Sequence, residues 1–320
     1  MTVYLIKRIA MAVLVIVLVM VLLALLVHLV PGDPAKIILR QRATPQLIAQ
    51  VRAEMGLNKS ILAQVWDFVI GALQGNLGTD FVSQAPVSSL IAQALPDTFI
   101  LAFTSMILSV LVGVPLGVFV ASRPNGLLDR TIGAISMVLI SALPYVFSLG
   151  LLLIFAVHWH LLPALGTGSP SSPGDYLRHL ILPAIALAIP WWGYIPRLVR
   201  ASMLEVLGSN YIRTARSLGF RERTIFYKYA FKNALVPVAA LFGLMLGYSL
   251  AGTIYAETIF GRSGLGSLAL GAIADRNWPV IRGTVLIYAL FYIFGNLVSD
   301  LSYRFLDPRI RVEKGVEVPV

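Results

Sequence analysis

The sequence predicts an all-α, polytopic membrane protein with about six transmembrane helices. Three observations carry this reading. The 320 residues are 58% hydrophobic and only 12% charged, about half the charged fraction of a soluble domain, and the mean hydropathy is +0.83. Apolar runs recur along the chain at the length a bilayer requires, since roughly 20 helical residues span its hydrocarbon core. The basic residues, 25 against 15 acids, collect in alternate connecting segments, as a positive-inside topology demands.

The runs are residues 9–30, 98–122, 131–157, 180–196, 234–256 and 283–299. The first follows Lys7 and Arg8, as a signal peptide would. Its 22 residues exceed a signal core, however, and it ends in "VPGDP" without a small-x-small cleavage site, so a retained anchor is expected. Between the first two runs, "TPQLIAQVRAEMGL" offers Thr44 as a cap and Pro45 at the first helical position. "SILAQVWDFVIGALQGNLG" is apolar on one side, and both segments predict short amphipathic helices on the outer membrane face. The fourth run holds Pro183, Pro190 and Pro196, which membrane helices tolerate where neighbours re-satisfy the freed carbonyls. The loop 158–179 is rich in Gly, Ser and Pro and should be irregular. The organisation expected is therefore an N-terminus with the first helix (1–30), an outer segment (31–97), a core of five further helices (98–306) and a tail (307–320).

With the N-terminus inside, the inner segments hold 16 of the 25 basic residues. Both termini are expected in the cytoplasm. The net charge of +10 is then an imprint of topology, and no nucleic-acid partner is implied. No internal repeat is visible, against the duplicated halves of many secondary transporters.

Sites of chemistry are scarce. His158, His160 and His179 lack carboxylate or thiol companions at ligand spacing, and with Trp159 they read as an interfacial belt. "GRSGLG" at 261–266 is no phosphate loop, because it follows an apolar span and the chain contains no Gly-Lys-Ser or Gly-Lys-Thr. There is no cysteine, hence no thiol chemistry. Ionisable residues inside the runs, where ion-coupled carriers keep their machinery, are nearly missing: His28 and Glu257 sit at run ends, and Asp300 has Arg304 at i+4. No catalytic residue, metal or cofactor is expected, and uphill transport would draw energy from another protein.

One stretch stands apart. "SNYIRTARSLGFRERTIFYKYAFKNALVPV", 209–238, sets Arg213, Arg216, Arg221, Arg223, Lys228 and Lys232 against Glu222 alone. Ser209 or Asn210 can cap a helix that Gly219 ends in a left-handed turn. In that helix Tyr211, Ala215 and Leu218 share one face, with Arg213 and Arg216 opposite. A second helix should start near Arg221, with Arg221, Lys228 and Lys232 along one side and Phe226 and Tyr229 displaced from it. Two such helices with exposed aromatics suit a protein-docking surface. The competing reading is a basic loop lying on anionic lipid.

The stretch resembles the cytoplasmic coupling loop of the permease subunits of bacterial ABC importers. That motif, Glu-Ala-Ala, three residues, glycine, falls on Arg213, Thr214, Ala215 and Gly219, while its Ile, Leu and Pro positions fall on Tyr229, Phe231 and Lys232. The departures match the dipeptide, oligopeptide and nickel branch, with Y-[IV]-R-T-A-R-x-x-G and a later N-A-L-[ILV]-P-V. "LVPGDP", "GNLGTDF", "PVSSLIAQALPDTFIL", "LRHLILPAIALA", "AETIFGRSGLG" and "DLSYRFLDPRIR" are similar to that branch in the same order, to about Arg311. The anchor and long outer segment resemble its B-type subunit.

The resemblance implies a type I importer permease fold in a bacterial inner membrane. It also implies a second permease subunit, two ATPase subunits that bind the ATP, an outer solute-binding protein, and surrounding lipid. Docking to the ATPases would fall on Tyr211, Arg213, Thr214, Ala215, Arg216, Gly219, Arg221, Phe226 and Tyr229. The outer loop 257–280, with Glu257, Gly261, Ser263, Gly264 and Gly266, is expected to dip into the passage mouth and meet the binding protein, because its glycines permit close backbone approach. The solute stays open among peptides, nickel chelates, opines, glutathione-like and sugar-linked compounds. The alternative is a stand-alone channel or carrier whose basic loop faces lipid.

Overall fold

Helices carry nearly all of the computed structural model, which describes residues 2–29, 44–54, 56, 58–141 and 143–306. Among these residues the strand contribution is a single bridge between Thr79 and Pro86. Four helices among the described residues are long and apolar enough to cross a bilayer alone: α1 (Thr2–Leu29), α4 (Val87–Ala121), α7 (Pro173–Leu207) and α14 (Trp278–Leu306). Two bent pairs, at 100° and 45°, bring the number up to six if each is counted as one span, the number expected from the sequence.

The first pair is α5 (Leu127–Ser141) with α6 (Pro144–Leu151), which continues as a π-helix over Leu152–His158. The run 131–157 is therefore not one straight helix. Pro144 forces the residue before it out of the helical region, and Leu143 is extended at φ −63°, ψ 133°. The second pair joins the segment Glu222–Ala240 to α12 (Phe242–Ile259) with a bend of 45°. Within it, α10 (Phe231–Ala234) and α11 (Val236–Ala240) meet at Leu235. Pro237 has no N–H for the carbonyl four residues back. By contrast, α7 runs unbroken for 35 residues through Pro183, Pro190 and Pro196, extending well beyond the 17 residues the hydropathy marks.

The chain divides into two compact units, Met1–Ile100 with Gly261–Ile293, and Leu101–Phe260 with Phe294–Val320. In the first, α2 (Pro45–Glu54) and α3 (Ile61–Leu73) follow α1. Val65 of α3 is buried against Met20 and Ala24 of α1, so α3 packs on a membrane helix rather than merely resting on the bilayer face. Trp66 and Leu73, on its other sides, remain 67% and 84% exposed. A second core of this unit gathers Val87, Ile91, Leu265, Trp278 and Ile281.

In the second unit, α7 is the central element. Absent side chains let its neighbours come close. A Cβ on Gly113 would stand 2.8 Å from Ile195, one on Gly117 2.6 Å from Val199, and one on Gly193 2.7 Å from the Ser136 carbonyl oxygen. Arg200 of α7 donates to Asp129 of α5 at 2.5 Å, and Trp192 Nε1 donates to the Leu108 carbonyl at 3.0 Å. Of the loop expected to be irregular over 158–179, only 159–172 is so, because Pro173 opens α7 in its first turn. His179 is occupied within its own helix, Nδ1 lying 2.9 Å from the Asp175 carbonyl oxygen. The expectations for "LVPGDP" and for the tail 307–320 lie outside the described residues, as do the side chains of Asp300 and Arg304.

Candidate functional site

The basic stretch begins where α7 ends at Gly208, whose N–H donates to the Leu204 carbonyl at 3.2 Å. Ser209 then turns extended, φ −70°, ψ 156°, and α8 (Asn210–Ser217) starts. Ser209 holds the cap position, but its hydroxyl donates back to Val206 instead of accepting from α8. The face that α8 buries is Ile212 and Ala215, packed with Ile225, Val206, Leu207 and Tyr229. The sequence grouped Tyr211, Ala215 and Leu218 on one face without assigning that face to the core. Ala215 is there, whereas Tyr211 is 43% and Leu218 72% exposed. Leu218 is the last residue before a left-handed turn, where the backbone leaves the helical path and the 3.6-residue spacing no longer holds.

That turn is Gly219, at φ +76°. Its N–H donates to the Arg216 carbonyl at 3.0 Å, and the Phe220 N–H to the Ala215 carbonyl at 3.2 Å. These two bonds are the Schellman pattern, which satisfies carbonyls at a helix end. Phe220 then stacks obliquely on Tyr229, centroids 5.8 Å apart. Arg221 opens the next helix at φ −62°, ψ 136°, where the sequence expected it. α9 (Glu222–Thr224) passes directly into a π-helix, Ile225–Ala230, a wider winding that the sequence reading missed. π-turns concentrate at functional sites.

Two side-chain links close this joint. Arg216 Nε and Nη2 donate to Glu222 Oε1 and Oε2 at 2.8 and 3.3 Å, and the carboxylate raises the guanidinium above its ordinary value. Asn233 Nδ2 donates to the Tyr211 hydroxyl at 2.8 Å. Arg213, Arg221, Arg223, Lys228 and Lys232 are all exposed, with no ion pair among the described residues. Thr214 is exposed as well, and its hydroxyl donates to the Asn210 carbonyl at 3.1 Å. Phe226 is half-buried beside Tyr227, which is 57% exposed. The result is a rigid, kinked, cationic surface with an aromatic edge, suited to an acidic protein partner.

The loop expected over 257–280 is largely helical. Glu257 belongs to α12 and is wholly buried. Gly261 is left-handed at φ +56°. Gly264, at φ 171°, is merely extended and caps α13 (Leu265–Ala274). The Leu265 N–H donates to Thr98 Oγ1 at 2.8 Å, and Gly266 is buried in the first turn of that helix. Gly271 has nothing within 4 Å of where a Cβ would stand, so no close approach depends on it. Ser263 and Gly264 line a cavity of about 640 Å³ whose wall includes Asp80, Asp97 and Asp275. Burial pushes the Asp80 carboxyl up, but bonds from Ser83, the Val82 N–H and Asn277 outweigh it and hold the group below its ordinary value.

Comparison with known proteins follows the same lines. The family model "Binding-protein-dependent transport system inner membrane component" matches residues 113–312, and that of its N-terminal region matches residues 1–102. A probable peptide ABC transporter permease protein of Sinorhizobium fredii is 36% identical over 97% of this chain and 100% of its own length. The glutathione transport system permease protein GsiC of Pectobacterium atrosepticum is 39% identical over 96% and 98%. Among solved structures, an inward-facing form of the MetNI methionine ABC transporter superposes with a TM-score of 0.55 at 19% identity. It covers 68% of this chain and 96% of that one, and is a likeness of fold.

Proposed function

The chain belongs to the binding-protein-dependent transport system inner membrane components, and from that membership we propose that it forms half of an importer's passage for peptides or a peptide-like solute. The relatives named for peptide and glutathione transport support that solute class. A second permease subunit completes the passage, two ATPase subunits bind and hydrolyse the ATP, and an outer binding protein delivers the solute. Both termini lie in the cytoplasm.

The observation that carries the reading is the joint at Gly219. A Schellman turn, a two-pronged ion pair and the Tyr211–Asn233 bond make 209–234 a stiff lever that continues into α12. ATPases that dock on its cationic face and close on ATP would move that lever. The two orientations of the passage then shift in population by the difference in nucleotide binding between them. At the outer mouth, the loop around Ser263 meets the binding protein.

Co-expression of all subunits tests this. ATP-dependent peptide uptake by the complex, lost when any one ATPase is omitted, is the expected result. Uptake by the purified chain alone would establish the stand-alone carrier instead. Cross-linking from Ser263 should capture the binding protein; failure there, with efficient labelling elsewhere on the outer face, would remove the loop's assignment.

A further inference from the structure

In the second unit, α7 and α12 each turn an aromatic stripe toward one cavity. Leu187, Trp191 and Tyr194 stand at i, i+4 and i+7 on α7, and Tyr248, Gly252 and Tyr255 repeat that spacing on α12, which places each set on a single helix face. Gly252 sets the approach of the two helices, since a Cβ there would stand 2.8 Å from Leu187 Cδ2. Around that contact the faces border an open cavity of about 680 Å³, in the range of small-ligand sites. Trp191 meets both Tyr194 and Tyr248 edge-on, with centroids 6.0 and 6.1 Å apart.

The polar groups of this cavity lack partners. Ser249, also in its wall, is 2% exposed, and its hydroxyl makes no hydrogen bond. The hydroxyls of Tyr194, Tyr248 and Tyr255 make none among the described residues either. No Asp, Glu, Lys, Arg or His lines the space. Tyr248 and Ser249 lie within the apolar run 234–256, at least about 10 Å from either end at 1.5 Å per residue, and so at hydrocarbon depth. Hydroxyls left without partners there would be costly. They are met by something that offers donors and acceptors together.

We propose that this cavity is a transit site for the solute, holding a peptide by its backbone amides and by stacking of its side chains on Trp191 and the tyrosine rings. An amide backbone supplies one N–H and one C=O per residue, which matches hydroxyls that both donate and accept. Aromatic faces accept apolar and aromatic side chains alike. With no charge in the wall, the terminal charges of the peptide are not read here, so the site tolerates many sequences. The proposal rests on the peptide reading of the solute above.

The test uses the complete importer in lipid nanodiscs and a tripeptide carrying a diazirine on its central side chain. Photolysis should label residues between 187 and 194 and between 248 and 255. In transport, Tyr248→Phe and Ser249→Ala keep the packing and should each raise KM for uptake about threefold to tenfold, the value of a hydrogen bond, with subunit assembly and basal ATP turnover unchanged. A tripeptide N-methylated at the central amide should lose a similar factor in the wild type and much less in Tyr248→Phe. Normal peptide uptake with labelling confined to other helices would overturn the transit site alone. If the wild-type importer takes up no peptide, the solute reading falls and this proposal with it. Should Tyr248→Ala abolish assembly while the cavity stays unlabelled, the stripe is covered by the partner permease, which also overturns it.

Discussion

Arg216 grips Glu222 with two prongs across the left-handed turn at Gly219. The pair joins the last turn of α8 to the first residue of α9, so the angle between the two helices is fixed at its vertex and again at its rim. Both side chains are largely exposed, at 44% and 69%, and an ion pair of this kind contributes little to overall stability. What it restrains is the direction in which the π-helical segment leaves the joint.

Gly219 can be tested for backbone conformation alone. Nothing lies within 4 Å of the position a Cβ would take, so any penalty comes from φ +76°. A branched residue there costs about 1–2 kcal/mol, whereas asparagine enters the left-handed region readily. We expect Gly219→Val to reach the membrane in normal amount, bind the ATPase weakly and lose uptake, and Gly219→Asn to retain most of both. Equal uptake by Gly219→Val and wild type would remove this joint from energy coupling.

The exposed cations next to it should act together. Arg213→Glu alone should weaken ATPase co-purification only slightly, because one solvated charge contributes little. The triple change Arg213→Glu, Arg221→Glu, Lys228→Glu reverses the sign of the surface. It should slow association steeply, and wild-type docking should weaken as salt rises. Binding of the triple variant at wild-type rate in low salt would show that the face is turned to lipid.

These features differ in how far the sequence disclosed them. Gly219 and the helix start at Arg221 were legible, because a glycine between two polar helical patterns is a local signal. Which side of α8 would be buried was not legible, because Ile212 and Ala215 meet Ile225 and Tyr229 only once the chain folds back. The π-helix 225–230 gave no sign, since six residues are too few to tell a wider winding from an ordinary one. Pro144 was visible in "SALPYV", yet Pro183, Pro190 and Pro196 leave α7 continuous, so proline alone does not decide a break. Trp191 and Tyr248 each sit at clear helical spacing, but their meeting depends on packing of helices far apart in the chain. Tertiary pairing is what the sequence withheld.

A cytoplasmic N-terminus is the expectation from the charge bias together with up to six crossings. Reporter fusions near Gly126 should report the cytoplasm and those near Gly168 the outside. The residues at 123–130 carry Arg123 and Arg130, while Gly166 and Gly168 lie in the irregular loop. An outside signal at Gly126 would invert the model and place the basic stretch away from any ATPase.

Asp80 and Asn277 join distant parts of the chain within the first unit, and the bond carries a prediction about that unit's stability. Asn277 Nδ2 donates to Asp80 Oδ1 across 197 residues, and the same carboxylate accepts from the Val82 N–H at 2.9 Å, the Ser83 N–H at 3.1 Å and the Ser83 hydroxyl. Asp80 is 7% and Asn277 3% exposed, so the aspartate clamps the turn 80–83 onto the start of α14. Hydrogen bonds to a buried charge contribute about 1.5–3 kcal/mol each, and Asp80→Ala should lower the melting temperature in detergent markedly. The carboxyl is held below its ordinary value, so the ionised form stabilises the fold. That stabilisation is complete above the unfolded value near 4 and disappears as pH falls through the lower folded one. Asp80→Asn keeps the shape without the charge. Its melting temperature should lie below the wild type at neutral pH, and the difference should shrink toward zero as the medium is acidified below about pH 4. A difference that persists unchanged in acid would mean that the side-chain shape, and not the carboxylate charge, holds this clamp.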